Sequence, residues 1–104
     1  MRIVNLTPHS VTIVTECGIE EQYPSAGLAR VGATFVVDST VDGIKLGHTE
    51  YGMITGLPEP EDGTIYVVSA LVRAACPQRC DVYSPAEYNR NSEGQVVSVR
   101  ALTR

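Results

Sequence analysis

The sequence predicts an α+β fold in one domain, with a β-rich sheet or partial barrel of short strands and one short central helix. Short runs of β-branched and aromatic residues recur along all 104 residues, and turn clusters of glycine, proline and aspartate separate them. Only residues 69–76 have the end signals of a helix. A chain of this length builds one core, so we expect a single globular domain over residues 1–104.

The central stretch of the chain is residues 64–85, TIYVVSALVRAACPQRCDVYSP. Residues 65–68 form an apolar run that is typical of a buried strand. Ser69 follows as a helix N-cap, because its hydroxyl can accept a hydrogen bond from the first turn, and Pro77 ends the helix. An extended run resumes at residues 82–85, so we expect a strand–helix–strand crossover with parallel pairing.

Alternating or β-branched runs predict the remaining strands. They are residues 2–6, 11–15, 19–23, 28–31, 35–37, 44–46, 53–55 and 95–102. Pro8 interrupts the first two and marks a bend at a sheet edge. Turn composition predicts the connections between the strands. Residues 24–27 form a turn cluster, residues 32–34 a break, residues 38–43 a polar connection, residues 47–52 a loop bracketed by glycines, residues 56–63 a rigid acidic loop and residues 90–94 a turn. Residues 86–89 show no clear preference.

The composition is that of an ordinary soluble protein, with 43% hydrophobic and 19% charged residues. The formal net charge of −4 disfavours binding to duplex nucleic acid, and no apolar run is long enough to span a membrane. Three cysteines, an odd number, argue against a disulfide framework, and the first residues enter a strand without the layout of a signal peptide. We therefore expect a cytoplasmic protein.

The basic residues are mostly of one kind. Seven of the eight are arginine, and Lys45 is the only lysine. Arginine can bind phosphate or carboxylate through two parallel hydrogen bonds, where lysine is a point charge. A GC-rich genome produces the same bias without a structural reason, so the bias alone does not establish an anion site.

The central helix suggests where an anion would bind. A strand that leads into a helix N-terminus, with arginines close behind, is a common arrangement for holding anions. Here the site would use Ser69, the two amides after it, and Arg73 or Arg79. The alternative is a capped helix with a solvent-facing Arg73 and a structural pair between Arg79 and Asp81.

Other residues would complete such a pocket. Arg30 is expected on the face of its strand opposite Ala29 and Val31, and it would reach the pocket from another strand or another subunit. A tyrosine would stack on a nucleobase, the candidates being Tyr51, Tyr66 and Tyr83. The alternative for each tyrosine is a core position with its hydroxyl hydrogen-bonded.

His9 follows Pro8 at the first bend of the chain. Its ring would either bind phosphate or act as a general base, or it would lock the bend by hydrogen bonding to the backbone.

Metal and catalytic sites are only weakly indicated, and we predict no cofactor, no metal and no catalytic residue. Cys76 and Cys80 with His9 and His48 form a loose set of zinc ligands, but Cys76 falls on the apolar part of the helix end. A hydrolase triad is possible on residue types alone, and no spacing supports it. Its members would be Ser69, His9 and Asp81.

Several short motifs occur together in this chain, and the opening Asn5-Leu6-Thr7-Pro8-His9 is the most specific. The others are Pro24-Ser25 with Gly27, Ala29-Arg30-Val31, Gly56-Leu57-Pro58, Tyr66-Val67-Val68-Ser69, Pro77-x-Arg79-x-Asp81, Ser84-Pro85 and Gly94-Gln95-Val96-Val97. The set resembles a family of small proteins of unknown function encoded in bacteriophages, prophages and actinobacterial genomes. The resemblance extends over nearly the whole chain. It implies a phage or mobile-element origin and the cytoplasm of a bacterial host, and it brings no assigned catalytic residues.

Small phage proteins of this kind often act against host defence. One class, the sponges, sequesters nucleotide signals made by immune systems such as CBASS and Thoeris. By this analogy we expect a protein that binds a cyclic oligonucleotide or an ADP-ribose derivative without turning it over. Because such a small chain makes only shallow pockets alone, we expect a homo-oligomer, most simply a dimer, with the ligand sites at or near the subunit interface. Arg30, Arg73 and Arg79 would hold phosphate, and Ser69 would add a hydroxyl.

Two other function classes remain open. One is a protein–protein interaction module or inhibitor, which would show an exposed apolar or acidic patch and no arginine-lined cavity. The other is a small hydrolase that acts on nucleotides and consumes the ligand.

Overall fold

The computed structural model of the protein describes all residues, Met1–Arg104. It contains eight strands and one helix, which confirms the predicted β-rich architecture with a single short helix. In chain order they are β1 (Arg2–Asn5), β2 (Val11–Val14), β3 (Glu20–Tyr23), β4 (Arg30–Val41), β5 (Ile44–Thr55), β6 (Thr64–Val67), α1 (Ala70–Ala75), β7 (Val82–Arg90) and β8 (Val96–Thr103). No helix is long and apolar enough to cross a membrane.

Six of the strands form one sheet in the order β1-β6-β7-β8-β2-β3. Neighbours pair in parallel between β1 and β6, β6 and β7, and β8 and β2, and they pair antiparallel between β7 and β8 and between β2 and β3. The helix α1 joins the parallel strands β6 and β7, as predicted from the central stretch. We call this sheet with its helix the body.

The sheet of the body nearly closes on itself just after β3. Asn5, at the end of β1, forms a parallel bridge with Ser25. The backbone amide of Ala26 donates to the Asn5 carbonyl oxygen at 2.8 Å. Because one bridge makes the closure, the body is a partial barrel with a narrow seam.

The side chain of Asn5, only 1% exposed, holds this seam together. Its Nδ2 donates to the carbonyl oxygens of His9 at 2.7 Å and Tyr23 at 2.9 Å. Its Oδ1 accepts from the amide of Thr7 at 3.0 Å and from the Thr7 hydroxyl at 2.6 Å. An asparagine amide has two donor hydrogens and two acceptor lone pairs, so every one is used. The opening motif therefore ties β1 to the ends of the neighbouring strands.

The core lies between the sheet, α1 and the chain that enters β4. Its buried members are Leu6, Ala29, Tyr66, Val68, Val72, Cys76 and Val82. Ser69 caps α1 as predicted, because its hydroxyl accepts from the Val72 amide at 3.3 Å. Val72 and Cys76 are the helix-side members of this core, both 2% exposed.

The strands β4 and β5 lie outside the body and pair only with each other. We call this hairpin the arm. Asp42 and Gly43 at its tip both have positive φ, 52° and 78°, which is the backbone of a two-residue type I′ turn. Val31 and Ile54 at its base pack against the core, and beyond them no arm residue is buried. The arm is therefore attached at one end and exposed along most of its length.

The arm is where the sequence prediction was wrong. Residues 32–34 and 47–52, predicted as a break and a loop, lie within the two 12-residue strands, and so do residues 38–41 of the predicted polar connection. Gly47 lies where the opposite strand approaches β5 closely. A Cβ atom at Gly47 would collide with the Val36 carbonyl oxygen and would lie 2.9 Å from the Phe35 ring, so the pairing leaves no room for a side chain there.

The arm also explains the extended shape of the molecule. The radius of gyration is 16.2 Å and the principal extents are 50 × 38 × 20 Å. A compact domain of this length has a radius of gyration of about 13 Å. The excess reflects chain that contributes little to the core.

Candidate anion-binding site

Four of the predicted site residues are divided between two cavities near opposite ends of α1, and His9, Tyr66 and Tyr83 line neither. Ser69 and Arg30 line a cavity of about 320 Å³ near the start of the helix, together with Leu6, Leu28 and Leu71. Arg73 and Arg79 line a different cavity, of about 280 Å³, near the end of the helix. The structure therefore does not bring the three predicted phosphate-binding arginines to one place.

The cavity at the helix end contains a third arginine that the sequence did not single out. Arg104, the residue after β8, lies in the wall with Arg73 and Arg79. The remaining wall residues are Cys76, Pro77 and Val82. We call this cavity the arginine cavity.

Arg79 is held rigidly within this cavity. Its Nε donates to Asp81 Oδ1 at 2.8 Å and one terminal nitrogen, Nη2, donates to Asp81 Oδ2 at 2.9 Å. Nη2 also donates to the carbonyl oxygen of Pro58 at 2.9 Å, which fastens the acidic loop to the helix end. The hydrogen bonds from Arg79 lower the pKa of Asp81, and the same pair raises the pKa of Arg79. The structural pair expected as an alternative is thus present, and Nη1 is the nitrogen of Arg79 without a bond in this network.

Arg73 is half-buried in the last turn of α1, where a cation is favoured by the helix dipole. Its Nε is buried and has no hydrogen-bond acceptor in the protein. Buried guanidinium nitrogens are nearly always paired, because an unmet donor costs about 1–3 kcal/mol. Arg73 Nε is therefore the one buried side-chain polar atom of the protein that is left without a hydrogen-bond partner.

Arg104 reaches the cavity because of the register between β7 and β8. Thr103 lies opposite Ser84, so the next residue outward, Arg104, lies beside Tyr83. The guanidinium carbon of Arg104 is 6.0 Å from the centroid of the Tyr83 ring, the geometry of a cation–π contact. Tyr83 is half-buried and lies under the Arg104 guanidinium, outside the lining of the cavity. A base that stacked on Tyr83 would have to displace the Arg104 side chain.

The other tyrosine candidates are in different environments. Tyr66 is 3% exposed, and its hydroxyl donates to the Glu59 carbonyl oxygen at 3.4 Å. Its ring is in the core and leaves no face for a base. Tyr51 is exposed on the arm and lines neither of the two cavities that contain the candidate arginines.

His9 lies exposed at the bend, and its ring makes no hydrogen bond. The prediction that the ring locks the bend was wrong. The His9 carbonyl oxygen accepts from Asn5 and from the Thr7 hydroxyl, so Asn5 performs the locking.

The cysteines, histidines and triad candidates are not brought together. Cys76 is buried, and burial raises the pKa of its thiol. Cys80 is exposed, and His48 is on the arm, where its ring binds Asp38 and Glu50. No group of three or more His, Cys, Asp or Glu side chains is arranged to hold a metal ion. The Ser69 hydroxyl and the Asp81 carboxylate are engaged with Val72 and Arg79 rather than with His9.

No family model, curated protein or solved structure matches this chain. The interpretation of the arginine cavity therefore rests on its own geometry.

Proposed function

We propose that this protein binds a small phosphorylated ligand in the arginine cavity and holds it without turning it over. The observation that carries the proposal is the convergence of Arg73, Arg79 and Arg104 on one cavity, with the buried Nε of Arg73 lacking an acceptor. Against these three guanidinium groups stand two carboxylates, that of Asp81, which is bonded to Arg79, and that of Glu59, whose charge also acts on Arg79. In a chain of net charge −4, this is a local excess of positive charge suited to phosphate.

Each arginine has a separate role in this proposal. The Asp81 pair fixes Arg79 and leaves Nη1 to donate to a phosphate oxygen. Arg73 supplies the buried donor, and Arg104 closes over the ligand from the mouth of the cavity. At about 280 Å³ the cavity is at the small end for ligand pockets, so it would hold the phosphate and sugar of the ligand while the base lies outside it.

Retention without reaction is favoured by the chemistry of the wall. Cys76 is the wall residue that carries a nucleophilic group, and its raised pKa keeps the thiol protonated. The resemblance to phage and prophage proteins favours an immune nucleotide as the ligand, either a cyclic oligonucleotide or an ADP-ribose derivative. Binding such a signal in the cytoplasm of a bacterial host would remove it from the defence pathway.

The test is thermal unfolding of the purified protein against a panel of cyclic di- and trinucleotides and ADP-ribose derivatives, followed by chromatography of each ligand. A ligand present at a hundred times its Kd stabilises the native state by about 2.7 kcal/mol, which is readily visible. Intact ligand recovered after denaturation supports sequestration, and converted ligand would establish a hydrolase instead. The absence of a shift with every phosphorylated ligand would contradict the proposal.

Matched variants locate the site. Arg73→Gln and Arg104→Gln should each reduce the ligand-induced shift, because each removes a charged donor from the arginine cavity. Arg30→Gln is the control, since Arg30 is an exposed arginine that lines the other cavity. Loss of binding in Arg30→Gln with retention in Arg73→Gln would place the ligand beside Ser69.

A second candidate function, a protein-interaction module, is favoured by one observation. The arm is an exposed apolar patch of the kind that such a module requires. The arginine cavity was not expected in such a module, and the two features occupy different parts of the molecule.

A further inference from the structure

The arginine cavity offers its free hydrogen-bond donors unequally. Arg79 keeps one nitrogen, Nη1, because its Nε and Nη2 are bonded to Asp81 and to the Pro58 carbonyl oxygen. Arg73 keeps its buried Nε unpaired. The Nε edge of a guanidinium can bind two oxygens of one anion through parallel hydrogen bonds. Arg73 therefore provides a place for one phosphate, and Arg79 can add one donor nitrogen.

The charges in and around this cavity nearly cancel. Its wall carries the three guanidinium groups of Arg73, Arg79 and Arg104. The carboxylate of Asp81 is bonded to Arg79, and the charge of Glu59 also acts on Arg79. Three positive charges against two negative ones leave one positive charge in excess. A ligand with a single negative charge would therefore be compensated, whereas a second negative charge would find no free cation.

More negative charge lies on the side of the acidic loop. A neighbouring cavity, of about 350 Å³, has Arg79 in common with the arginine cavity. Its wall also carries Asp81 and the exposed residues Glu61 and Asp62 of the acidic loop. A ligand that extended past Arg79 with a second phosphate would meet these carboxylates. This direction is therefore unfavourable for a further anionic group.

Desolvation makes an uncompensated charge on the ligand costly. An anion that enters a cavity loses hydration, and the cost rises with the square of its charge, while its attraction to fixed cations rises only in proportion. One positive charge in excess is therefore best matched by a monoanion. A phosphodiester carries a single negative charge, whereas a phosphomonoester carries about −1.5 to −2 at pH 7.

We infer that the arginine cavity selects an isolated phosphodiester, as in a cyclic oligonucleotide, and discriminates against the diphosphate of an ADP-ribose derivative. The inference rests on the proposed function, because it concerns which phosphorylated ligand occupies the same cavity. Sugars separate the phosphates of a cyclic oligonucleotide, so one phosphate can enter while the others stay outside. The cavity, at about 280 Å³, has room for that phosphate and its sugar. A diphosphate holds its two charges side by side, so both would have to enter.

The test is isothermal titration calorimetry at pH 7 with four adenosine compounds, which suffice because the base lies outside the cavity. Adenosine 5′-(methyl phosphate) and AMP differ by a methyl group and by the charge that it removes, so this pair isolates the effect of charge. Cyclic di-AMP and ADP-ribose compare separated phosphates with adjacent ones. In each pair the diester should bind at least about tenfold more tightly, because its charge is the one that the cavity compensates.

A matched pair of variants tests whether charge causes the selection. Glu59→Gln removes one of the two opposing carboxylates, and the fold uses only the backbone carbonyl of Glu59, which accepts from Tyr66. The preference for the methyl ester over AMP should fall by about two- to fivefold, the size of an exposed charge contact. Glu20→Gln is the control, since Glu20 is exposed on β3 and lines none of the cavities. It should leave the preference unchanged.

The outcomes distinguish this inference from the proposed function. If AMP or ADP-ribose binds as tightly as its diester counterpart, the inference is overturned while the proposed function stands. A Glu59→Gln variant with the same preference as Glu20→Gln would also overturn the inference, because charge would then not be the cause. If none of the four compounds binds, the proposed function is contradicted and the inference fails with it.

Discussion

The body and the arm are built from similar strand-forming residues, yet they bury them very differently. Every fully buried residue belongs to the body, where strands distant in the sequence pair with one another. The arm consists of two adjacent strands that satisfy each other's hydrogen bonds and leave their side chains exposed. A strand pattern in the sequence therefore indicates backbone pairing and does not by itself indicate a place in the core.

The largest loss of stability is expected from a substitution at the seam of the body, a feature that the arm does not have. Asn5→Ala should lower the free energy of unfolding by about 3 kcal/mol, because four hydrogen bonds of a buried amide are lost together. Asn91→Ala is the matched control, since Asn91 also bonds its own loop but is exposed. Urea denaturation measures both. Equal destabilisation by the two substitutions would show that the seam is not a special point of the body.

The next-largest loss of stability is expected at Arg79, which bonds Asp81 and the Pro58 carbonyl oxygen of the acidic loop. Asp81→Asn should cost about 2 kcal/mol of stability, because it leaves the Arg79 guanidinium, 18% exposed, without its anion. The pKa of Asp81 is lowered in the folded state, so the pair stabilises the protein above the unfolded-state pKa. That stabilisation is lost as the pH falls through the lowered pKa. Denaturation across the acid range should be less pH-dependent in Asp81→Asn than in the wild type, and unchanged acid sensitivity would contradict the assignment.

The same substitution, valine to alanine, should lower the free energy of unfolding more in the body than in the arm. Val67→Ala removes methyl groups from a side chain that is 1% exposed, and it should cost about 2 kcal/mol. Val41→Ala affects a side chain that is 51% exposed at the tip of the arm, and it should cost less than about 0.5 kcal/mol. Thermal unfolding of both variants compares them. A large loss in Val41→Ala would mean that the arm is packed in solution on the face that carries Val41.

The smallest effect concerns the ionic contacts of His48 with Asp38 and Glu50 on the arm. Hydrogen bonds from Asp38 and Glu50 raise the pKa of His48 in the folded state. The protonated ring therefore stabilises the arm below the unfolded-state pKa, and this stabilisation is lost as the pH rises through the raised value. Amide hydrogen exchange in the arm should quicken slightly over that interval, while exchange in the body stays constant. His48→Gln should abolish the pH dependence, and its persistence in that variant would assign it to another group.

The sequence predicted the body better than the arm, for physical reasons. The Ser69 cap and the strand before it are local signals, and both were confirmed. Gly47 and Gly52 were interpreted as loop residues because glycine weakens strands, but at Gly47 the Val36 carbonyl oxygen and the Phe35 ring of the opposite strand leave no room for a Cβ atom. That close approach depends on cross-strand register, which a single strand does not reveal.

The candidate site shows the same limit. Arg73 and Arg79 were identified because they follow the central strand and helix closely in the sequence, and they do line one cavity. Arg104 was missed because it reaches them through the pairing of β7 with β8. The helix start drew attention to Ser69 and Arg30, which lie in the other cavity. Local sequence order identified two of the three arginines, and long-range register supplied the third.

The strand order of the body has a consequence for how the protein is made. β1 is the first strand to be synthesised, but it pairs with β6, which begins at Thr64. At about 5–20 residues per second, β1 waits for seconds before its partner emerges. The arm lies between them in the chain, and a hairpin forms in about 1–10 μs. The arm can therefore be complete while the first strand of the body is still unpaired, and a nascent chain would present its most apolar surface before it has a core.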